Sequence, residues 1–132
     1  MKRYMLDTNT VSHLLREHLA VARHVVAVPM ASLCISVITE GELLFGLAKR
    51  PAAKRLHGAV REFLRRVDVL PWGSSTAACY GMARADMARQ GKVLSPLDLL
   101  IAAHALSEGA VLVTNDQAFS QMAHLHLEDW TV

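Results

Sequence analysis

Aromatic residues make up only 5% of this 132-residue chain, and cysteine occurs twice. The first shortage leaves few platforms on which unstacked bases could be held. The two cysteines, Cys34 and Cys79, sit singly in the apolar segments SLCIS and AACYGMA. That placement excludes a Cys-x-x-Cys redox pair or zinc site and reads as two buried free thiols. No apolar run approaches the roughly 18 residues that span a bilayer. No charged-then-apolar leader with a cleavage site opens the chain, so the expectation is a soluble, cytoplasmic protein with no membrane partner. Repeats, low-complexity tracts and long linkers are absent. Neither sign of charge dominates: 14 Lys and Arg face 12 Asp and Glu, for a formal +2 with the seven histidines neutral. Such a mildly basic balance permits a polyanionic partner without requiring one.

What is present is apolar and periodic. At 52% hydrophobic over 132 residues, the chain is expected to fold as one domain, 1–132, with a real core. Strand and helix signals alternate. Strands are expected at Arg3 to Leu6, Leu33 to Ser36, Asp68 to Trp72, Val111 to Thr114 and Leu125 to Trp130. Helices are expected across Thr8 to Val28, Val37 to Lys49, Ala52 to Val67, Ser75 to Gln90 and Pro96 to Ser107, with a short one after Asp116. This alternation predicts an α/β fold, a central mostly parallel sheet flanked by helices. The short runs CISVI and AVLVT suit buried parallel strands. The tryptophans, Trp72 and Trp130, fall at strand ends and read as core or interface. In sheets of this kind, sites gather at the carboxyl ends of strands, where the topology switches.

Four acids share that address. In RYMLDTNTVSHLL, Asp7 stands between a strand and a helix; Glu42 follows the strand in CISVITEGELLFG. Asp98 occupies the first turn of the helix in LSPLDLLIAAHA, and Asp116 lies just beyond the strand in AVLVTNDQAF. Each alone reads as a helix cap. Thr39 with Glu42, and Ser95 with Asp98, have capping-box spacing, and Asp116 suits the start of the short helix after it. Glu40 lies two residues before Glu42 and so about 200° away around the helix, which lets only one of them face inward. Taken together the acids suggest more. Caps are indifferent to one another's position, whereas Mg²⁺ or Mn²⁺ needs several oxygens brought together. Carboxylates gathered at one sheet edge would repel one another without a cation.

The segments YMLDTNTVS, ISVITEGELLFG, SPLDLLIAAHAL and AVLVTNDQAF, in this order and over nearly the whole chain, resemble the PIN domain. More specifically, they resemble the VapC toxins of bacterial type II VapBC toxin–antitoxin modules. The resemblance implies a Mg²⁺- or Mn²⁺-dependent endoribonuclease whose acids are Asp7, Glu42, Asp98 and Asp116. It assigns Asp7, Asp98 and Asp116 to metal coordination and Glu42 to a metal-linked water or a second ion. Thr8 and Asn9 would steady that shell, or simply start the helix. A divalent ion can activate water for in-line attack on a phosphodiester and offset charge on the phosphoryl oxygens, so no His, Ser or Cys nucleophile is needed. The implied partners are a VapB-type antitoxin, whose C-terminal arm lies over the acidic site, and a second copy in a homodimer. The apolar faces of VSHLLREH and ELLFGLA suit such an arm, or the core. The expected substrate is a structured RNA, by default a tRNA, because specific RNA recognition favours exposed loops. Its cleavage would inhibit translation until the antitoxin neutralises the enzyme.

Lys49, Arg50, Lys54, Arg55, Arg61, Arg65 and Arg66 supply seven of the fourteen Lys and Arg within a short stretch. With Leu56, Val60, Phe63 and Val67 on one seam, they form either a solvated face or an RNA-phosphate track. The histidines add little: His104 reads as a core or interface residue, and His124 and His126 lack further ligands at metal spacing. Two rival readings stand beside the nuclease. The segment DTNTV resembles the phosphatase signature of the haloacid dehalogenases, though Asn9 replaces its second Asp and no downstream Lys element follows. A non-catalytic PIN-like module that binds RNA or protein would retain the acids only as caps.

Overall fold

The computed structural model describes residues 1–132. Five parallel strands form one sheet in the order β3-β2-β1-β4-β5, with β1 at Tyr4–Leu6, β2 at Leu33–Ser36, β3 at Asp68–Leu70, β4 at Val111–Val113 and β5 at Leu127–Glu128. Six helices flank it: α1 (Thr8–Leu15), α2 (Leu19–Val26), α3 (Val37–Ala48), α4 (Lys54–Arg66), α5 (Ser74–Arg89) and α6 (Pro96–Glu108). None is long and apolar enough to cross a membrane.

Alternation along the strands divides the core in two. Met5, Cys34 and Leu112 point to one face, where they meet Met87 of α5 and Leu99, Ile101, Ala102 and Ala105 of α6. Leu6, Ile35 and Val113 point to the other, against Val11, Val21, Leu43, Leu47 and Val60 from the first four helices. With both faces covered, the three middle strands are buried almost throughout, only Tyr4 being half-buried, which is why CISVI and AVLVT show no alternation with exposed residues. Burial pushes the Cys34 thiol up to about 11 and makes it an inert core group. Cys79, expected to be buried too, is only half-buried on α5, because the outer side of that helix has no neighbour above it. Trp130 is buried and stacks on His24 with ring centroids 5.3 Å apart, while half-buried Trp72 donates Nε1–H to the Leu100 carbonyl.

The elements depart from their expected bounds for local reasons. β3 stops at Leu70 because Pro71 has no N–H for a ladder. β5 shrinks to two residues: His124 turns into the left-handed region before it, and the Asp129 side chain accepts from the Thr131 N–H after it. The helices expected across Thr8 to Val28 are two, α1 and α2, separated at Glu17, whose φ is +61°, with the His18 ring capping α2. A 3₁₀ turn at Met30–Ser32 follows Pro29 and was not legible in the sequence. His104 is fully buried on α6, with Nδ1 2.7 Å from the Ser36 hydroxyl and no partner at Nε2, and burial holds its pKa below the usual histidine value. His124 and His126 are exposed.

α6 ends at Gly109, φ +65°, where the Ala110 N–H reaches the Ala105 carbonyl and the Gly109 N–H that of Leu106. A side chain there is strained by about 1 kcal/mol although there is space for it. Gly109→Ala is therefore expected to lower the unfolding free energy by about 1 kcal/mol, read by circular dichroism as a lower urea midpoint at an unchanged slope.

Candidate active site

β1 is the switch point of the sheet, since the chain builds β2 and β3 on one side of it and β4 and β5 on the other. Asp7 is the first residue beyond it. Its backbone N–H still donates to the Val113 carbonyl at 3.0 Å, so the residue is fixed in the sheet, while its side chain has left the strand to cap α1. Asp7 Oδ1 accepts from the Thr10 N–H at 2.8 Å, and the Thr10 hydroxyl donates to the same Val113 carbonyl at 3.0 Å. Both the cap and the sheet hold this carboxylate in place.

That position is costly for a charge. Asp7 is only 3% exposed. Burial raises its pKa above the usual aspartate value; the hydroxyls of Thr114 and Thr10 and the Thr10 N–H counteract, and the nearby charge of Asp98 raises it further. No cation offsets this: the protein's ion pairs involve Lys2, Arg3, Arg65, Arg66 and Arg89, and none engages Asp7, Glu42, Asp98 or Asp116.

Glu42 reaches the same region from α3. Its Oε1 accepts from the Thr8 hydroxyl at 2.5 Å, and that hydroxyl also lies 3.2 Å from Thr39 Oγ1. Thr8 is the neighbour of Asp7, so one residue step along α1 links the two acids. The capping box expected of Thr39 and Glu42 does not form, because α3 begins three residues earlier, where Ser36 Oγ accepts from the Ile38 N–H. Asp98, half-buried at the start of α6, gives its backbone N–H to Ser95 Oγ at 3.4 Å, leaving its carboxylate unpaired.

Asp116 behaves differently. Its Oδ1 accepts from the Ala118 N–H at 2.9 Å and caps the 3₁₀ turn Gln117–Gln121. Its link to the rest runs through Thr114, whose Oγ1 receives the Asp116 N–H at 3.0 Å and whose hydroxyl also faces Asp7. No three His, Cys, Asp or Glu side chains come close enough together to hold a metal ion among themselves. Of the four acids, Asp7 feels the charge of Asp98, Glu42 is held through Thr8, and Asp116 caps its own turn. Asn9 is exposed and makes no side-chain hydrogen bond, so of the two helix-start residues only Thr8 steadies an acid.

Thr114 is the residue that sequence reasoning missed. The register Leu6↔Val113 places it directly beside Asp7 across the β1–β4 pair. The signal was a hydroxyl one position past a buried strand, visible only once the pairing of that strand with β1 is known. The unpaired carboxylates and hydroxyls make an all-oxygen donor set, the kind that hard divalent cations select. Mg²⁺ commonly takes one or two carboxylates and completes its shell with water, which the Asp7–Asp98 pair suits.

Comparison with known proteins places this arrangement. The PIN domain family matches residues 4–125. The tRNA(fMet)-specific endonuclease VapC of Shigella flexneri is 35% identical over 132 residues, covering 99% of this chain and all of that protein. The ribonuclease VapC2 of Haemophilus influenzae strain Rd is 34% identical over 98% of this chain and 99% of its own. Among solved structures, DNA-bound VapBC from Salmonella typhimurium superposes with a TM-score of 0.91 at 35% identity, covering 98% of this chain and 99% of that one. VapBC2 from Rickettsia felis bound to a promoter DNA fragment gives 0.87 at 30% identity over 96% and 98%.

The cost of the buried charge is measurable without any substrate. Because the folded pKa of Asp7 lies above its unfolded value, ionisation destabilises the fold, with the penalty absent at low pH and complete once pH exceeds the folded pKa. Asn is an equally good cap. Asp7→Asn is therefore expected to raise Tm by a few degrees at neutral pH in chelator, with the advantage vanishing as pH falls through the carboxylate range. A variant less stable than the parent at neutral pH would contradict this reading.

Proposed function

The chain belongs to the PIN domain family and, within it, to the VapC ribonucleases, and from that premise we propose that its acids carry out divalent-metal-dependent hydrolysis of structured RNA. The reading covers the whole of 1–132 as one PIN domain, the toxin of a type II toxin–antitoxin pair acting in the cytoplasm. The observation that carries it is the buried, unpaired Asp7 carboxylate at the switch point, beside a second unpaired carboxylate, Asp98.

Asp7 and Asp98 would hold Mg²⁺ or Mn²⁺. Asp116 completes the site from the β4 side, with its backbone tied to Thr114. The bound ion supplies a Lewis acid that polarises the phosphoryl group and offsets the charge growing on its oxygens. Glu42, oriented by Thr8, positions the attacking water and accepts its proton. One P–O ester bond breaks as the new one to the water oxygen forms. Thr10 and Thr114 hold the buried Asp7 carboxylate in place by hydrogen bonds.

The tRNA(fMet) specificity named for the Shigella flexneri relative supports a tRNA substrate here. The VapBC complexes among the structural neighbours support a VapB-type antitoxin as the inhibitor. Its arm is proposed to cover the acids by lying along α1 and α3, and the toxin is proposed to be a homodimer.

One observation favours a second reading, a non-catalytic module: the acids do not converge in threes, and Asp116 is occupied as a cap. Binding of a cation to the folded state alone raises Tm, so millimolar Mn²⁺ separates the readings. The nuclease site gains stability from it and a set of caps does not.

Cleavage itself is tested on total cellular RNA with Mn²⁺ or chelator, reading new 5′ ends by sequencing. Discrete ends are expected with metal only, absent for Asp7→Asn and Asp98→Asn. Glu42→Gln is expected to slow cleavage roughly 100-fold or more. Thr8→Val, which removes the hydrogen bond but keeps the shape, should cost roughly 10- to 100-fold. Equal cleavage by parent and Asp7→Asn would return Asp7 to the role of a cap.

A further inference from the structure

α1 and α3 leave the sheet side by side, and the groove between them is lined by residues of both. Thr8 bonds Glu42 at one end, Ser12 and Gly46 also line the groove, and the cations that line it are Arg16, Lys49 and Arg50. Thr8 and Ser12 are one four-residue step apart on α1, as are Glu42 and Gly46 on α3, and Arg16 and Lys49 are the C-caps of the two helices, so the groove leads from the acid toward the cations. Ser12 and Gly46 keep the middle shallow and unobstructed. The groove, about 360 Å³, is floored by Leu43 and Leu47 and closed on its far side by Leu56 and Val60 of α4. It continues past Leu15, Arg16 and Leu56 into a second cleft of about 570 Å³, which adds Arg55 and one acid, Glu17.

Position along the groove sets its cations apart from Lys54 and Arg61, which are unpaired but line neither cleft, and pairing sets them apart from Arg65 and Arg66. Arg65 and Arg66 are both paired with Glu62. Arg16, Lys49, Arg50 and Arg55 are exposed and form no ion pair. Lys49 instead lies 4.8 Å from the centroid of Phe45, which is 63% exposed and the single exposed aromatic of the chain. An exposed ring beside unpaired cations is the combination with which proteins hold single-stranded nucleic acid, the ring for a base and the cations for phosphates. Glu42 lies on α3 and Lys49 is its C-cap, seven residues on and about 10 Å along the axis. A strand whose scissile phosphodiester sits at the acids has its flanking phosphates over the cations.

We propose that the α1–α3 groove is the track for one single-stranded flank of the cleaved RNA, with Arg16, Lys49, Arg50 and Arg55 holding its phosphates and Phe45 stacking on a base. This rests on the nuclease reading and adds to it the subsite that grips the substrate. It also divides the basic cluster: the groove cations serve RNA, and Arg61, Arg65 and Arg66 form a solvated face of α4.

Binding of total tRNA in chelator, measured against salt concentration, tests the track independently of cleavage. For single strands the log–log slope is about −0.7 per phosphate neutralised. Removing three contacts in Arg16→Gln/Lys49→Gln/Arg50→Gln is expected to flatten the slope by about 2, and Arg61→Gln/Arg65→Gln to leave it unchanged. With Mn²⁺ the triple variant should show a raised KM and an unchanged kcat, and Phe45→Ala should raise KM while keeping the parental salt slope. All four positions are exposed, and parental Tm values confirm that folding is intact. A parental slope and KM in the triple variant overturn the track. If that variant instead loses only the complex with the co-expressed antitoxin, the groove serves the antitoxin's protein arm and not RNA. Loss of metal-dependent cleavage in the parent itself would strike the nuclease reading and leave the chelator binding experiment to decide the track alone.

Discussion

The burial of an unpaired carboxylate at the end of the central strand is the constraint around which the rest of this protein is arranged. Asp7 is tied to the sheet through its backbone, caps a helix through one oxygen, and is surrounded by hydroxyls instead of cations. A protein selected only for stability would place an arginine there or remove the charge, because an uncompensated buried carboxylate costs free energy. Retaining it, with Asp98 near enough to raise its pKa further, makes sense when a mobile cation supplies the compensation. The same cost that weakens the empty fold becomes affinity for the ion.

The surrounding fold delivers each helper to that point by ordinary means. Parallel pairing in register carries Thr114 to the side of Asp7, and the adjacent starts of α1 and α3 bring Thr8 to Glu42. Those two helices leave a groove between them whose lining runs from Thr8 and Glu42 over Leu43 and Leu47 to Arg16, Lys49 and Arg50. One surface thus offers chemistry at one end and grip at the other. A protein arm laid along it would block both, which gives inhibition by an antitoxin a simple steric basis.

Much of this was legible beforehand, for reasons that vary by residue. Asp7, Glu42, Asp98 and Asp116 each stood at a strand end or first helical turn, and the alternation of elements carried them to one side of a parallel sheet. The local signals located the strands and helices to within a few residues, and missed bounds where a single residue decided the matter: Pro71 cutting β3 short, Glu17 setting the point that divides α1 from α2, Asp129 turning the chain after β5. What sequence could not give was the side-chain geometry. α3 starts at Val37 as expected, but its cap is Ser36, and the capping-box spacing of Thr39 and Glu42 is not used. Asp116 caps its own turn, the local role its position also suggested. The division of the basic cluster depended on pairing with Glu62 and on which cations border the groove, neither of which spacing reveals.

The most direct test of the central claim is a count of bound ions. Titration of the purified protein with Mn²⁺, followed by the electron paramagnetic resonance signal of the free ion, reads occupancy with no RNA present. The account predicts saturable binding in the parent protein that is lost in both Asp7→Asn and Asp98→Asn. Absence of saturable binding in the parent, or binding that survives both substitutions, would contradict it.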